Sequence, residues 1–123
     1  MLKIMNLLNK NLSILSILFK SNNILCTLTD TKGNTLIWAT AGSKKIRSTK
    51  KITSISITNM IKTLYDYSYK TNSTEIYIKI KGANKNKNFL IKKLKTIGFT
   101  IWLIQESLIL PHNGCRKIRS RRI

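Results

Sequence analysis

The alternation of apolar and polar positions between residues 24 and 109 predicts four strands and two helices. Strands are expected at residues 24–29, 35–40, 75–80 and 99–109, and helices at residues 53–69 and 90–97. The helical segments carry apolar residues three or four apart, whereas residues 75–80 alternate with a period of two. Residues 99–109 are apolar on both faces, which is typical of a central strand. The order β-β-α-β-α-β therefore predicts an α/β domain with a mixed sheet and helices covering it.

Short polar segments and single residues indicate where these elements begin and end. Residues 30–34 contain Gly33 and form a turn between the first two strands, which predicts a β-hairpin. Thr53 is expected to cap the first helix and Gly98 to end the second. Cys26, on a predicted strand, is expected to pack in the core. Trp38, on the next strand, is expected to pack in the core or between elements rather than to stack on bases.

Residues 1–23 are predicted to be an N-terminal extension that forms a helix and docks on a neighbour. Leu12, Leu15 and Phe19 continue a series of apolar residues three or four apart. The apolar run is shorter than the about 20 residues that cross a bilayer, and it lacks a signal-peptide cleavage site and the arginines of a transit peptide. The chain thus divides into an extension (1–23), an α/β domain (24–110) and a basic tail (111–123).

The charge balance indicates a polyanionic partner. Lys and Arg number 23 against four acids, which gives a formal net charge of +19. Such a chain repels itself unless a partner supplies negative charge, and a phosphate backbone is the commonest such partner. A membrane surface would favour one basic amphipathic helix, whereas these cations are spread over several elements. We therefore expect nucleic acid and no membrane.

Three basic segments are the candidate contacts with nucleic acid. Five of the seven residues from Arg116 to Arg122 are cations, and a turn containing Asn113 and Gly114 precedes them. A solvated terminal run is the ordinary alternative, but two basic loops with hydroxyl groups accompany this tail. The candidate nucleic-acid-binding residues are Ser43, Lys44, Lys45, Arg47, Ser48, Thr49, Lys50, Lys51, Lys81, Lys85, Lys87, His112, Asn113, Gly114, Arg116, Lys117, Arg119, Arg121 and Arg122.

Catalysis is not expected, because the chain lacks the groups for it. A two-metal nuclease needs three or four clustered carboxylates, and the only acids are Asp30, Asp66, Glu75 and Glu106. One histidine and two distant cysteines do not make a zinc site. We expect no catalytic residue, metal, cofactor or small-molecule substrate. A basic DNA-binding or nucleoid protein is one such nucleic-acid-binding protein, although no helix-turn-helix motif is present.

Ordered motifs resemble the family of small-subunit ribosomal protein eleven, in its bacterial and organellar branch. The resemblance is carried by Trp38-Ala39-Thr40-Ala41-Gly42, Lys81-Gly82, Gly98-Phe99 and Pro111-His112-Asn113-Gly114-Cys115-Arg116. The chain departs from the family in the first basic loop, where Ser43, Lys45 and Ser48 replace glycines.

Ile, Lys and Asn make up 50 of the 123 residues, which indicates an AT-rich genome. A mitochondrion is the expected location, with a plastid-type organelle or a bacterial cytoplasm as alternatives.

The resemblance implies both a fold and a role. The fold would be a three-layer α/β/α domain with ribonuclease H-like topology but without that activity, followed by the basic tail. The protein would be a structural constituent of the small-subunit platform, near the messenger exit and the exit-tRNA side. It would bind small-subunit rRNA through residues 43–51, 81–87 and 112–122, beside other platform proteins and close to mRNA.

Overall fold

Five strands form one mixed sheet and two helices pack on it in the computed structural model, which describes residues 11–43 and 52–123. The elements in chain order are β1 (Leu12–Phe19), β2 (Ile24–Thr29), β3 (Thr35–Thr40), α1 (Ser54–Lys70), β4 (Glu75–Lys81), α2 (Lys87–Ile97) and β5 (Thr100–Ser107). The predicted α/β class with a mixed sheet is confirmed, and so are both helices and the hairpin of β2 and β3.

The strands lie in the order β3-β2-β1-β4-β5. β1 pairs with β4 and β4 with β5 in parallel, whereas β2 is antiparallel to both β1 and β3. β3 therefore runs in the same direction as β1, β4 and β5. These four strands end at the same end of the sheet, and β2 begins there.

The helix predicted at residues 12–19 is wrong, because this segment is β1, the central strand. Six of its eight residues are buried, and Leu15 and Ile17 are almost fully enclosed. A strand covered by neighbours on both sides has a nearly continuous apolar sequence, and in a short run such a sequence also satisfies helical spacing. The α/β domain therefore includes residues that were assigned to the extension. Residues 1–10 lie outside the described residues.

The central position predicted for residues 99–109 is also wrong, because β5 is an edge strand. It pairs only with β4 among the described residues, and six of its eight residues are exposed.

The expectation that Trp38 is buried is also wrong, because Trp38 lies on an edge strand. Trp38 lies on the other edge strand, β3, where its neighbour Ala39 is buried and Trp38 itself is 64% exposed. Apolar sequence alone did not distinguish edge from centre.

One face of the sheet and both helices share a single hydrophobic core. Its largest fully buried side chains are Leu15, Ile17, Ile24, Leu28, Ile57, Ile61, Leu64, Ile76, Ile78, Ile80, Leu90 and Leu94. The connections β3–α1–β4 and β4–α2–β5 both advance in the same direction along the sheet, and right-handed crossovers then place both helices on one face. Within the described residues the architecture has two layers, where the resemblance implied three.

The helix ends follow the predicted local chemistry. The Thr53 side chain accepts a hydrogen bond from the Ser56 backbone N–H at 3.2 Å, which satisfies one free donor at the start of α1. Gly98 ends α2 with φ +127°, a conformation that a residue with a Cβ rarely adopts. Both caps were predicted from the sequence and are confirmed.

Candidate nucleic-acid interface

The sheet topology brings the three strand ends that the basic segments follow to one end of the molecule. Thr40, Leu18, Lys81 and Ser107 are joined through the register of neighbouring strands, with Leu25 of β2 between the first two. The first basic loop follows β3, the second follows β4, and the tail follows β5. We call this part of the molecule the basic end: the carboxyl ends of β1, β3, β4 and β5 and the segments that leave them.

Both helices also begin at the basic end. α1 follows the first basic loop, and α2 begins shortly after β4 ends. Their first turns are neighbours, since Ser54 and Ile55 of α1 line a shallow cleft with Phe89 and Lys93 of α2. The free N–H groups of a helix N-terminus favour anions. The helix starts therefore add to the positive potential that the Lys and Arg side chains create.

The described members of the two loops are accessible. Lys81 and Lys85 are exposed, and Lys87 is partly buried. Ser43 is exposed, and its hydroxyl donates a hydrogen bond to the Thr40 carbonyl at 2.7 Å. The remaining candidates of the first loop lie outside the described residues; they are Lys44, Lys45, Arg47, Ser48, Thr49, Lys50 and Lys51.

The tail leaves β5 without packing on the domain. Every residue from Gln105 to Ile123 is exposed, which includes His112 and all five tail cations. Asn113 and Gly114 have φ of +69° and +41°, which confirms the predicted positive-φ turn. The tail cations are Arg116, Lys117, Arg119, Arg121 and Arg122. They are free of ion pairs within the described residues and are available to a partner.

Lys20 is a basic-end residue that sequence reasoning missed. Together with Ser21 it follows β1, and both line a groove of about 570 Å³ with Lys81 and Ile109. A helical interpretation of residues 12–19 hides the turn between two strands in which Lys20 lies. A strand assignment for the Ser-interrupted apolar run would have placed Lys20 at the end of a strand, but only the parallel pairing of β1 with β4 places it beside Lys81.

The acidic residues are concentrated away from the basic end. Asp30 lies in the turn after β2, Glu75 begins β4, and Asp66 is close to the C-terminus of α1. All three positions are at the opposite end of the sheet and of its helical layer. The fourth acid, Glu106, is at the basic end, where both of its carboxylate oxygens accept hydrogen bonds from Lys87 Nζ at 2.9 Å.

Replacing Glu106 with Gln is expected to strengthen RNA binding. The change removes the one acidic side chain of the basic end and leaves Lys87 free to neutralise a phosphate. The slope of log affinity against log salt should steepen by roughly 0.7–0.9, with an affinity gain of roughly fivefold at 0.1 M salt. Filter binding of small-subunit rRNA at several salt concentrations measures both quantities.

Asp66→Asn is the matched control, because it removes one acid at the opposite end of the molecule. Its salt slope should equal that of the unsubstituted protein. Equal gains for Glu106→Gln and Asp66→Asn would mean that net charge alone sets the affinity.

The two cysteines differ in accessibility. Cys26 is buried, and this burial raises the pKa of its thiol to about 12. Cys115 is exposed and lies between Gly114 and Arg116, both candidate RNA contacts. The thiolate is the form that reacts with an alkylating reagent, and burial of Cys26 disfavours its thiolate. Cys115 is the cysteine that a reagent can reach in the folded protein.

Iodoacetamide at mildly alkaline pH is therefore expected to modify Cys115 and to spare Cys26 until the protein unfolds. Binding of small-subunit rRNA should slow the modification of Cys115 by roughly fivefold or more, because RNA that covers the turn blocks the access of the reagent to the thiol. Peptide mass spectrometry measures both sites. Unfolding in urea, which exposes both thiols, is the control. An unchanged Cys115 rate in the complex would show that the turn stays clear of RNA.

The described residues offer no alternative chemistry at this end. They contain no group of three or more His, Cys, Asp and Glu side chains placed to hold a metal ion. No helix in the described part of the chain is long and apolar enough to cross a membrane. The basic end is thus a surface of cations, hydroxyl groups and backbone N–H groups, which suits phosphate contact.

Comparison with known proteins identifies the family of the chain. The family model described as ribosomal protein S11 matches residues 13–122. The chain is 44% identical to small ribosomal subunit protein uS11m of Chondrus crispus over 113 residues, which cover 91% of this chain and 95% of that protein. It is 34% identical to small ribosomal subunit protein uS11 of Thiobacillus denitrificans, over 83% of this chain and 78% of that protein. The chain therefore belongs to the ribosomal protein S11 family.

Proposed function

We propose that this chain is a structural constituent of the small ribosomal subunit that binds small-subunit rRNA through its basic end. The observation that carries the proposal is that the three strand ends from which the basic segments leave lie at one end of the sheet, with three of the four acids at the other. The names of its relatives support the ribosomal role. The alternative of a non-ribosomal nucleic-acid-binding protein has no observation in its favour.

In the proposed mechanism, cations on the folded domain and on the extended tail neutralise the phosphates of folded RNA. The domain places Lys20, Lys81 and Lys85 at fixed positions set by β1 and β4. The tail then reaches along the phosphate backbone, and each neutralised phosphate releases counterions. Because an A-form helix hides its base edges, we expect recognition of RNA shape more than of base sequence.

The role is structural and not catalytic. Asp30, Asp66 and Glu75 lie away from the basic end, and Glu106 is occupied by Lys87. No carboxylate cluster can therefore form where RNA would bind. The proposed RNA contacts are all of the candidate residues named from the sequence, with Lys20 added.

The proposed location is the platform of a mitochondrial small subunit, beside other platform proteins and the path of mRNA. The resemblance of the motifs supports the platform. The high identity to uS11m of Chondrus crispus, whose suffix denotes the mitochondrial protein, supports the organelle. Bacterial relatives are also similar, at 31% identity for Rhodopirellula baltica.

Sedimentation of an organelle lysate tests this function. A tagged copy should co-migrate with the small subunit through moderate salt, and ultraviolet crosslinks from the tail should map to small-subunit rRNA. A copy that lacks the tag on the same gradient controls for disturbance by the tag. Recovery of the protein free, or on DNA, would contradict the proposal.

A further inference from the structure

The outer side of β5 is an open strand edge. Among the described residues β5 pairs only with β4, so its other side presents unpaired backbone N–H and C=O groups. Edge strands are usually protected from further pairing by Lys, Pro or unpaired charges. β5 has no Lys and no Pro, and its one charged residue, Glu106, is held by Lys87.

Exposed apolar side chains accompany this edge. Trp102 is the extra residue of a bulge between Ile101 and Leu103, whose partners on β4 are adjacent. Such a bulge redirects a side chain, and Trp102 is 57% exposed. We call the following set the apolar edge: Trp102, Leu103, Leu108, Ile109 and Leu110, all of them exposed.

The charge pattern argues against RNA as the occupant of this edge. No Lys or Arg occurs from Thr96 to Cys115, although the rest of the chain contains all 23. RNA-binding surfaces depend on cations to neutralise phosphate. The apolar edge instead has the composition of a protein-binding surface, which is rich in aromatic and apolar residues and poor in charge.

A second copy of the chain is also a poor occupant. Each copy carries a net charge of +19, so two copies side by side would repel each other strongly. A neighbour that is weakly charged or acidic meets no such penalty. The open backbone groups further select a partner segment that is extended, because only such a segment can continue the hydrogen-bond ladder.

We propose that the apolar edge docks an extended, weakly charged or acidic segment of a neighbouring protein in the small subunit, which adds as a strand beside β5. The inference rests on the proposed function in one respect, which is that the partner is a protein of the small subunit. Sedimentation of the unsubstituted protein tests that function separately.

The test is the double substitution Trp102→Lys with Leu103→Lys, two exposed positions within β5 that do not line the groove beside Lys20 and Lys81. Added cations weaken an apolar protein interface, whereas they strengthen or leave unchanged a surface that binds RNA. Incorporation into small subunits, in competition with the unsubstituted protein, should fall by roughly tenfold or more. The affinity of the free protein for small-subunit rRNA should stay equal or rise. Unchanged incorporation would overturn the proposal.

Two control variants separate docking from folding and from general edge effects. Trp38→Lys alters the other edge strand at a side chain of similar exposure and should incorporate within roughly twofold of the unsubstituted protein. Trp102→Phe with Leu103→Val keeps the surface apolar and should also incorporate normally. Equal losses for Trp38→Lys and for the double lysine variant would contradict a specific site on β5.

Photo-crosslinking identifies the occupant directly. With p-benzoylphenylalanine in place of Leu103, irradiated small subunits should yield a crosslink to one segment of another subunit protein. The same group in place of Trp38 should not yield that product. Crosslinks from the first position to rRNA, or to a second copy of this chain, would refute the assignment.

Discussion

Deletion of residues 111–123 is expected to weaken binding to small-subunit rRNA by roughly a hundredfold or more at 0.1 M salt, without unfolding the domain. The deletion removes five cations, and each phosphate contact contributes roughly 0.7–0.9 to the salt slope, so the slope should fall by roughly 3.5–4.5. Part of that binding free energy is offset by the cost of ordering the tail, which is why the loss in affinity is smaller than the slope alone suggests.

The fold should survive because the tail contributes nothing to the core. Every residue of the deleted segment is exposed, and the hydrophobic core contains none of them. The far-ultraviolet circular dichroism spectrum and the urea midpoint of the truncated protein should match those of the full chain. An affinity and salt slope equal to those of the full chain would show that the tail is a solvated appendage.

A variant that removes the same number of cations elsewhere controls for net charge. Five exposed lysines lie away from the basic end: Lys32, Lys62, Lys70, Lys92 and Lys95. Replacing all five with Gln should reduce the affinity far less than deletion of the tail. If the two variants lose equal affinity, the position of the cations is irrelevant and only the total charge matters.

Gly82→Ala is expected to destabilise the domain by about 3–5 kcal/mol, a large part of the stability of a typical domain. Gly82 has φ +96°, which costs a residue with a Cβ about 1–2 kcal/mol. The new Cβ would also lie 2.5 Å from the Phe19 carbonyl oxygen, and this backbone atom at the end of β1 cannot rotate away. The free energy of unfolding, from urea titration, measures the effect.

Gly33→Ala isolates the conformational part of that cost. Gly33 has nearly the same φ, +92°, and no atom lies within 4 Å of the position that an added Cβ would take. It should therefore lose only about 1–2 kcal/mol. Similar losses at Gly33 and Gly82 would mean that β1 moves to accommodate the methyl group. The expected difference identifies contact with β1 as the reason for glycine at the start of the second basic loop.

The sequence predicted local structure well and strand position poorly. Thr53 and Gly98 mark helix ends through hydrogen bonding and backbone geometry that depend only on nearby residues, and both predictions are confirmed. The place of β1 and β5 in the sheet depends on pairing with β4, which is far along the chain from β1 and separated from β5 by a helix. An apolar run has the same composition at the centre of a sheet and at an edge that a partner covers. Apolar composition therefore misassigned both strands.

The candidate site was predicted as three separate segments, and the structure supplied their relation. Composition identified residues around Lys81 and Arg116 as basic, but only the shared direction of four strands places them at one end. The place of Lys20 could not be predicted in the same way, because it depends on the turn after β1. Pairing between distant strands carries this information, and local sequence does not.

The separation of acids from the basic end also affects how fast the protein finds its site. At the opposite end three carboxylates offset lysines such as Lys32 and Lys70, so the basic end is the more positive end. The field of a polyanion is expected to turn that end forward before the two molecules touch. More encounters then occur with the productive face forward, and the association rate rises at low ionic strength. In the proposed complex the same acids face away from the RNA. Charge segregation along the strand axis is therefore expected to orient the protein during assembly as well as after it.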